Sequence, residues 1–149
     1  MRPRGPNLLR TVRGFDARDT RFVVRASALA IALPPLLRAL PLPELVRRVA
    51  GDLGASAALP EPSRMVWLTD GVLRRGRGPF AANCVVRSLI LLRYLRRRGV
   101  PAVVVFGARR TAEKPIDGHA WVTIDGEPLA EATDPRPLYR ETYRFPEGA

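Results

Sequence analysis

A single cysteine, Cys84, and a single histidine, His119, stand 35 residues apart, each at the start of an apolar run. Thiol and imidazole together suit acyl chemistry: the imidazole takes the thiol's proton and the thiolate attacks a carbonyl. A thiol reacts as thiolate, and the first turn of a helix favours that anion through its free N–H groups and the helix dipole. The run from Asn83 to Gly99 meets the requirement. Asn83 is a preferred N-cap type, Val85, Val86, Leu89, Ile90, Leu92 and Leu95 cover most of the circumference, and Arg96, Arg97 and Arg98 complement the C-terminal dipole. Gly99 supplies the stop, with Pro101 just beyond. The same pair also admits a bland reading, a small buried hydrophobe and a satisfied polar residue at a strand start. One cysteine and one histidine are too few for a zinc shell without two carboxylates and show no metal-ligand spacing, so no metal is expected, and no other cofactor is expected either.

An imidazole base needs a third polar group to hold its tautomer and to stabilise its charged form. Candidates follow a hairpin. His119 to Ile124 and Glu127 to Ala132 read as strands joined by Asp125-Gly126, a strong turn signal. A three-residue turn puts Ile124 opposite Pro128 and Trp121 opposite Glu131, so that His119 and Glu131 become diagonal neighbours on one face. A two-residue turn reverses the parity, points Glu131 away and makes Asp134 the alternative. Both remain open, with Glu131 placed first. The oxyanion donors are the Cys84 backbone N–H and a second group, either Asn83 or one from Arg74 to Ala82. Trp121, two residues along the same strand face, is expected to pack beside the base. Arg87 and Arg93 are expected to be solvated or salt-bridged helix residues with no catalytic part.

The elements that must position these groups run helices first, strands second. Met1 to Thr20 is rich in Arg, Gly and Pro and reads as a flexible tail. Residues 21–78 read as a helical subdomain. In it, Arg21 to Leu33, Pro35 to Leu40 and Pro43 to Ala50 are helical pieces separated by prolines, Gly51 to Pro62 is a linker, and Ser63 caps a helix to about Leu73. Arg74 to Phe80 is a loop feeding the cysteine helix. Residues 79–149 then form the core, with Ala102 to Phe106 as a buried strand and Gly107 to Gly118 as a polar loop before the hairpin. The expected fold is a single compact α+β domain in which an antiparallel sheet packs on the cysteine helix.

The 149 residues are 46% hydrophobic, enough for one core. A lone cysteine forbids an internal disulfide and suits a reducing cytoplasm. The formal charge is +11 and Lys114 is the only lysine, but the arginines are scattered over the length with few aromatics among them, which argues against nucleic-acid binding. Ala26 to Val46 is strongly apolar. Pro34, Pro35, Pro41 and Pro43 interrupt it, Arg38 and Glu44 lie inside it, and its longest charge-free piece, Ala26 to Leu37, falls short of the roughly 20 residues of a bilayer span. It reads as a packed helical hairpin, with membrane association disfavoured.

Asn83-Cys84-Val85-Val86-Arg87-Ser88-Leu89, continuing through Leu92 and Leu95 to Val100, together with His119-Ala120-Trp121-Val122 and Asp125-Gly126, resembles the transglutaminase-like cysteine peptidases of lasso-peptide biosynthesis. The resemblance covers about residues 80 to 135. It implies a papain- or transglutaminase-like core with Cys84 as nucleophile, His119 as base and a carboxylate on the next strand as orienter. The family's position twelve residues after the histidine falls on Glu131, where aspartate is more usual. It further implies removal of the leader from a precursor peptide, and a freed core that passes to an ATP-dependent cyclase. Some members carry a winged-helix peptide-recognition domain of about 80 residues before the helices. The sequence shows no room for one, so the chain resembles the split form that works with a separate leader-recognition protein. Two other readings are a transglutaminase-like acyltransferase with the same three residues and a noncatalytic adaptor in the same pathway.

Overall fold

The computed structural model describes residues 14–75 and 83–148. Among them the order is α1 (Ala17–Ala39), α2 (Leu42–Ala50), α3 (Pro62–Arg75), α4 (Cys84–Arg98), β1 (Ala102–Arg109), β2 (Asp117–Ile124), β3 (Glu127–Pro128) and β4 (Arg140–Phe145). The strands form one antiparallel sheet in the order β3-β2-β1-β4, and α4 packs on β1 and β2. This is the expected α+β arrangement.

The central element is α4 because it is apolar nearly all round. Leu89, Ile90, Leu91, Leu92 and Leu95 are fully buried, each side chain contributing about 1.5–3 kcal/mol. The helix touches α1, α2 and α3 as well as the sheet. Period-2 alternation divides the sheet into two faces. Ala102, Val104, Phe106, Ala120 and Val122 join the α4 core, whereas Val103, Val105 and Trp121 form a second small cluster with Tyr139.

Several sequence expectations are corrected. The prolines do not split the first helical region: α1 runs unbroken through Pro34 and Pro35. A proline inside a helix costs about 3 kcal/mol. Burial on both sides offsets it, with Ala30 and Leu33 buried before the pair and Leu37 packed on the core after it. The continuous helix is long and apolar enough to cross a membrane by length and composition, with 22% of its most apolar stretch buried; core helices and signal sequences pass the same test. Its first turn also lies inside the expected tail. Asp16 caps it by accepting the Asp19 N–H at 2.8 Å, and buried Asp19 pairs with Arg64 of α3 at 2.7 Å. Residues 1–13 of that tail lie outside the described residues. Ser63 falls within the first turn of α3 and is no cap, since the helix starts at Pro62. Arg74 and Arg75 complete α3, and the remainder of the expected loop, 76–80, lies outside the described residues.

The strands differ as well. Three residues of the expected polar loop lengthen β1, to Arg109, because Arg109 faces Asp117 directly across the ladder and pairs with it at 2.8 Å. The third strand stops at Pro128 instead of reaching Ala132. β4 had no sequence signal. It is an edge strand whose Arg140, Glu141 and Arg144 mask the alternation, a common protection of sheet edges.

Candidate active site

Cys84 is the first residue of α4. The helix starts there because Asn83 has extended backbone (φ −81°, ψ 117°) and its Oδ1 accepts the Val85 N–H at 2.9 Å. Such a cap contributes about 1 kcal/mol and places the thiol among first-turn amides. The thiol is partly accessible.

His119 stands on β2 opposite Gly107 of β1. Its ring lies 5.8 Å from Trp121, nearly parallel, and 5.2 Å from Tyr139. Trp121 is 2% exposed and packs beside the imidazole, as its position two residues along the strand suggests. Gly107 makes the room. A Cβ there would come within 2.8 Å of the Tyr139 Cβ and 3.0 Å of the Trp121 ring. Behind the wall, the Tyr139 hydroxyl donates to Asp117 Oδ2 at 3.3 Å and the Arg109 guanidinium lies over the Tyr139 ring. Burial pushes the Tyr139 phenol above its ordinary value; Arg109 opposes this, while Asp117 and Cys84 add to it.

The third group shows where the parity argument ends. Ile124 pairs with Glu127, so the turn has two residues, Asp125 (φ 51°) and Gly126 (φ 79°), both left-handed as such a hairpin requires. Strict alternation would then send Glu131 away from His119. The ladder is already over. After Leu129 N–H bonds the Val122 carbonyl at 2.8 Å, Ala130 takes a left-handed φ of 52° and redirects the chain. Glu131 Oε2 ends 3.0 Å from His119 Nε2. Of the two turn lengths left open the hairpin takes the one that disfavours Glu131, yet the two side chains meet. With Nε2 engaged by Glu131, Nδ1 is the ring nitrogen left for another partner. Asp134 is elsewhere: it accepts from the Arg136 backbone N–H and guanidinium at 2.7–3.0 Å, and Arg136 holds its carboxyl below the usual aspartate range.

Arg87, expected to be a salt-bridged helix residue, is salt-bridged inside the site. Its Nε donates to Asp70 Oδ1 of α3 at 2.7 Å, its Nη1 to Glu131 Oε1 at 3.3 Å and its Nη2 to the Ala130 carbonyl at 3.4 Å. The available signal was its spacing, three residues after Cys84 and hence on the same helix face. Asp70 and Tyr139 gave no such signal. Arg93, by contrast, donates to the Val49 carbonyl at 2.9 Å, away from the site.

Cys84, His119, Glu131, Arg87 and Asp70 line one open cavity of about 350 Å³, with Leu73, Ala120 and Ala130 supplying apolar wall. Among the described residues, no cluster of three or more His, Cys, Asp or Glu could hold a metal ion. Of the oxyanion candidates, Cys84 offers a first-turn amide and Asn83 spends its Oδ1 on the cap. Most of the Arg74 to Ala82 segment lies outside the described residues.

A family model of the transglutaminase-like superfamily matches residues 23–144, taking in α2 to α4, β1 to β3 and most of α1 and β4. The chain belongs to the transglutaminase-like superfamily. That superfamily includes cysteine peptidases and acyltransferases, and both chemistries use a thiol activated by an adjacent base. Comparison with curated proteins and with solved structures returned no match.

Proposed function

We propose that this transglutaminase-like protein is a cysteine peptidase that removes the leader from a lasso-peptide precursor. The observation that carries the chemistry is Glu131 Oε2 at 3.0 Å from His119 Nε2, in the cavity that also holds Cys84 at the capped start of α4. The substrate class rests on the likeness of the Asn83 to Val100 and His119 to Val122 segments to the leader peptidases of that pathway.

In this reading the Cys84 thiolate attacks the carbonyl at the leader–core junction, and the Cys84 N–H and the Asn83 side-chain amide hold the oxyanion. His119 protonates the departing core amine as the C–N bond breaks, leaving the leader as a thioester on Cys84. His119 then takes a proton from water. The hydroxide releases the leader as a carboxylic acid and restores the thiol. Glu131 keeps the imidazole in the tautomer that presents Nδ1 and stabilises its charged form. No metal or cofactor enters the scheme. A separate winged-helix protein holds the leader, a lasso cyclase takes the core, and the work is done in the cytoplasm.

The test is mass spectrometry of a lasso precursor incubated with the protein, with and without the recognition protein. Cleavage is expected with the partner, and the gain should concentrate at low substrate, because tethering raises the local concentration of the scissile bond. Equal rates without the partner across a concentration series would remove the split-form part of the reading. Because the superfamily includes acyltransferases, the same assay with a small primary amine separates the two chemistries: an amide of the leader in place of its acid identifies a transferase. A noncatalytic adaptor would show neither product and a Cys84 inert to iodoacetamide.

A further inference from the structure

We propose that Arg87 is a positioning residue, acting through Glu131 to hold the His119 imidazole, with Asp70 as its anchor. The inference rests on the Cys84, His119 and Glu131 site proposed above. Its starting point is that the backbone does little to place Glu131: β3 ends at Pro128 and Ala130 turns left-handed, so no ladder bond fixes the residue that follows. Arg87 supplies the missing constraint from across the cavity. One guanidinium grips the Glu131 carboxylate and the Ala130 carbonyl, which are the side chain to be aimed and the peptide that aims it. The carboxylate is thereby divided, with Oε1 facing Arg87 and Oε2 facing His119.

Arg87 is held in turn. Its Nε bonds Asp70 Oδ1 at 2.7 Å; the Arg87 and Glu131 side chains are only 17% and 14% exposed, so their pairing is shielded from bulk water, whereas the Asp70 anchor is 32% exposed. A planar guanidinium can serve Asp70, Glu131 and the carbonyl at once, which a lysine ammonium on a flexible stem matches poorly. Charge points the same way. Arg87 brings a positive charge against the two carboxylates, Asp70 and Glu131, that line the cavity with Arg74 and His119. Without Arg87 the Glu131 carboxylate loses the partner on its Oε1 and is free to turn out of line.

Alkylation of Cys84 by iodoacetamide at neutral pH reports the thiol and imidazole pair without a peptide substrate, and it is measured for R87M, R87K, E131Q and R87M/E131Q, each checked for folding by circular dichroism. R87M should slow alkylation to the rate of E131Q, and the double variant should be no slower than E131Q. R87K should fall between wild type and R87M; being the conservative change, it carries the test if R87M does not fold. Wild-type rates in R87M and R87K would overturn the proposal. So would a double variant slowed by the product of the two single losses, since Arg87 would then act on the thiolate directly and not through Glu131. A protein whose Cys84 alkylates rapidly but which cleaves no precursor counts against the peptidase reading alone.

Discussion

At its C-terminal end α4 is held largely by main chain, joined by the Arg98 guanidinium on the Leu59 carbonyl and the Glu61 carboxylate. Gly99 takes a φ of 99° and donates to the Arg96 carbonyl at 2.9 Å, Val100 reaches Leu95 at 3.0 Å, and Gly54 and Ser56 of the α2–α3 connection donate to the Arg96 and Arg97 carbonyls at 2.8 and 2.9 Å. At its N-terminal end the described contacts are made by side chains: Asn83 caps, and Arg87 spans Asp70 and Glu131. Backbone anchoring is insensitive to most substitutions and sets how firmly the helix is seated. Side-chain anchoring is specific to residue type and sets where charge lies around the thiol. The chemistry proposed for this site lies at the N-terminal end alone, so substitutions at the C-terminal end should change stability and leave kcat unchanged.

The sharpest break would come at Cys84. C84A should abolish leader removal while leaving the melting temperature nearly unchanged, since little core volume is lost at a partly exposed helix start. Normal cleavage by folded C84A would end the peptidase reading. Next, H119A should lower kcat by about 10²–10⁴-fold. Added to C84A it should cost nothing further, because the pair acts as a unit.

E131Q should come third. It keeps shape and removes the charge that orients the imidazole, and its loss should clearly exceed that of D134N. The reverse order would place the orienting carboxylate on Asp134 despite its engagement with Arg136. At the opposite end G99A should leave kcat unchanged and cost about 1–3 kcal/mol in denaturant unfolding, for a non-glycine residue in a left-handed conformation. A Cβ there would also sit 2.8 Å from the Gly54 carbonyl oxygen. A G99A enzyme with normal stability and reduced kcat would erase the division between the ends. The smallest effect belongs to D134N in acid. The folded-state value of Asp134 is lowered, so its contribution is present above the ordinary aspartate range near pH 4 and fades as pH falls through the lowered value. Wild type and D134N should therefore converge in stability as the solution is acidified.

Local signals carried much of this into the sequence. Asn83, the apolar circumference of α4 and Gly99 bound that helix without reference to anything distant, and Asp125-Gly126 marks its hairpin for the same reason. What stayed hidden depends on partners far along the chain. The continuity of α1 through Pro34 and Pro35 comes from burial of Ala30 and Leu33, and propensity alone argues for a break. Glu131 was named on a parity argument whose turn length proved wrong. It meets His119 because the strand ends early, and no alternation rule registers a left-handed Ala130. Which partners Arg87 takes as a solvated or salt-bridged helix residue is not legible locally, because both carboxylates it meets lie on other elements, 17 residues before it and 44 after it. Tyr139 belongs to a segment with no periodic signal, and the glycine that admits it, Gly107, sat within an expected loop.

The paired prolines leave a mark that hydrogen exchange would read directly. Pro34 and Pro35 have no amide hydrogen, so the carbonyls of Ala30 and Ile31, which those amides would meet in an unbroken α-helix, lack their usual donors four residues on. The protected amides of α1 therefore fall into two blocks, one ending at Leu33 and one beginning at Leu36. Only the first is backed by the fully buried side chains of Phe22, Ala26 and Leu33. Deuterium should enter the second block first, so that α1 opens in steps from its C-terminal end although it is a single rod in outline.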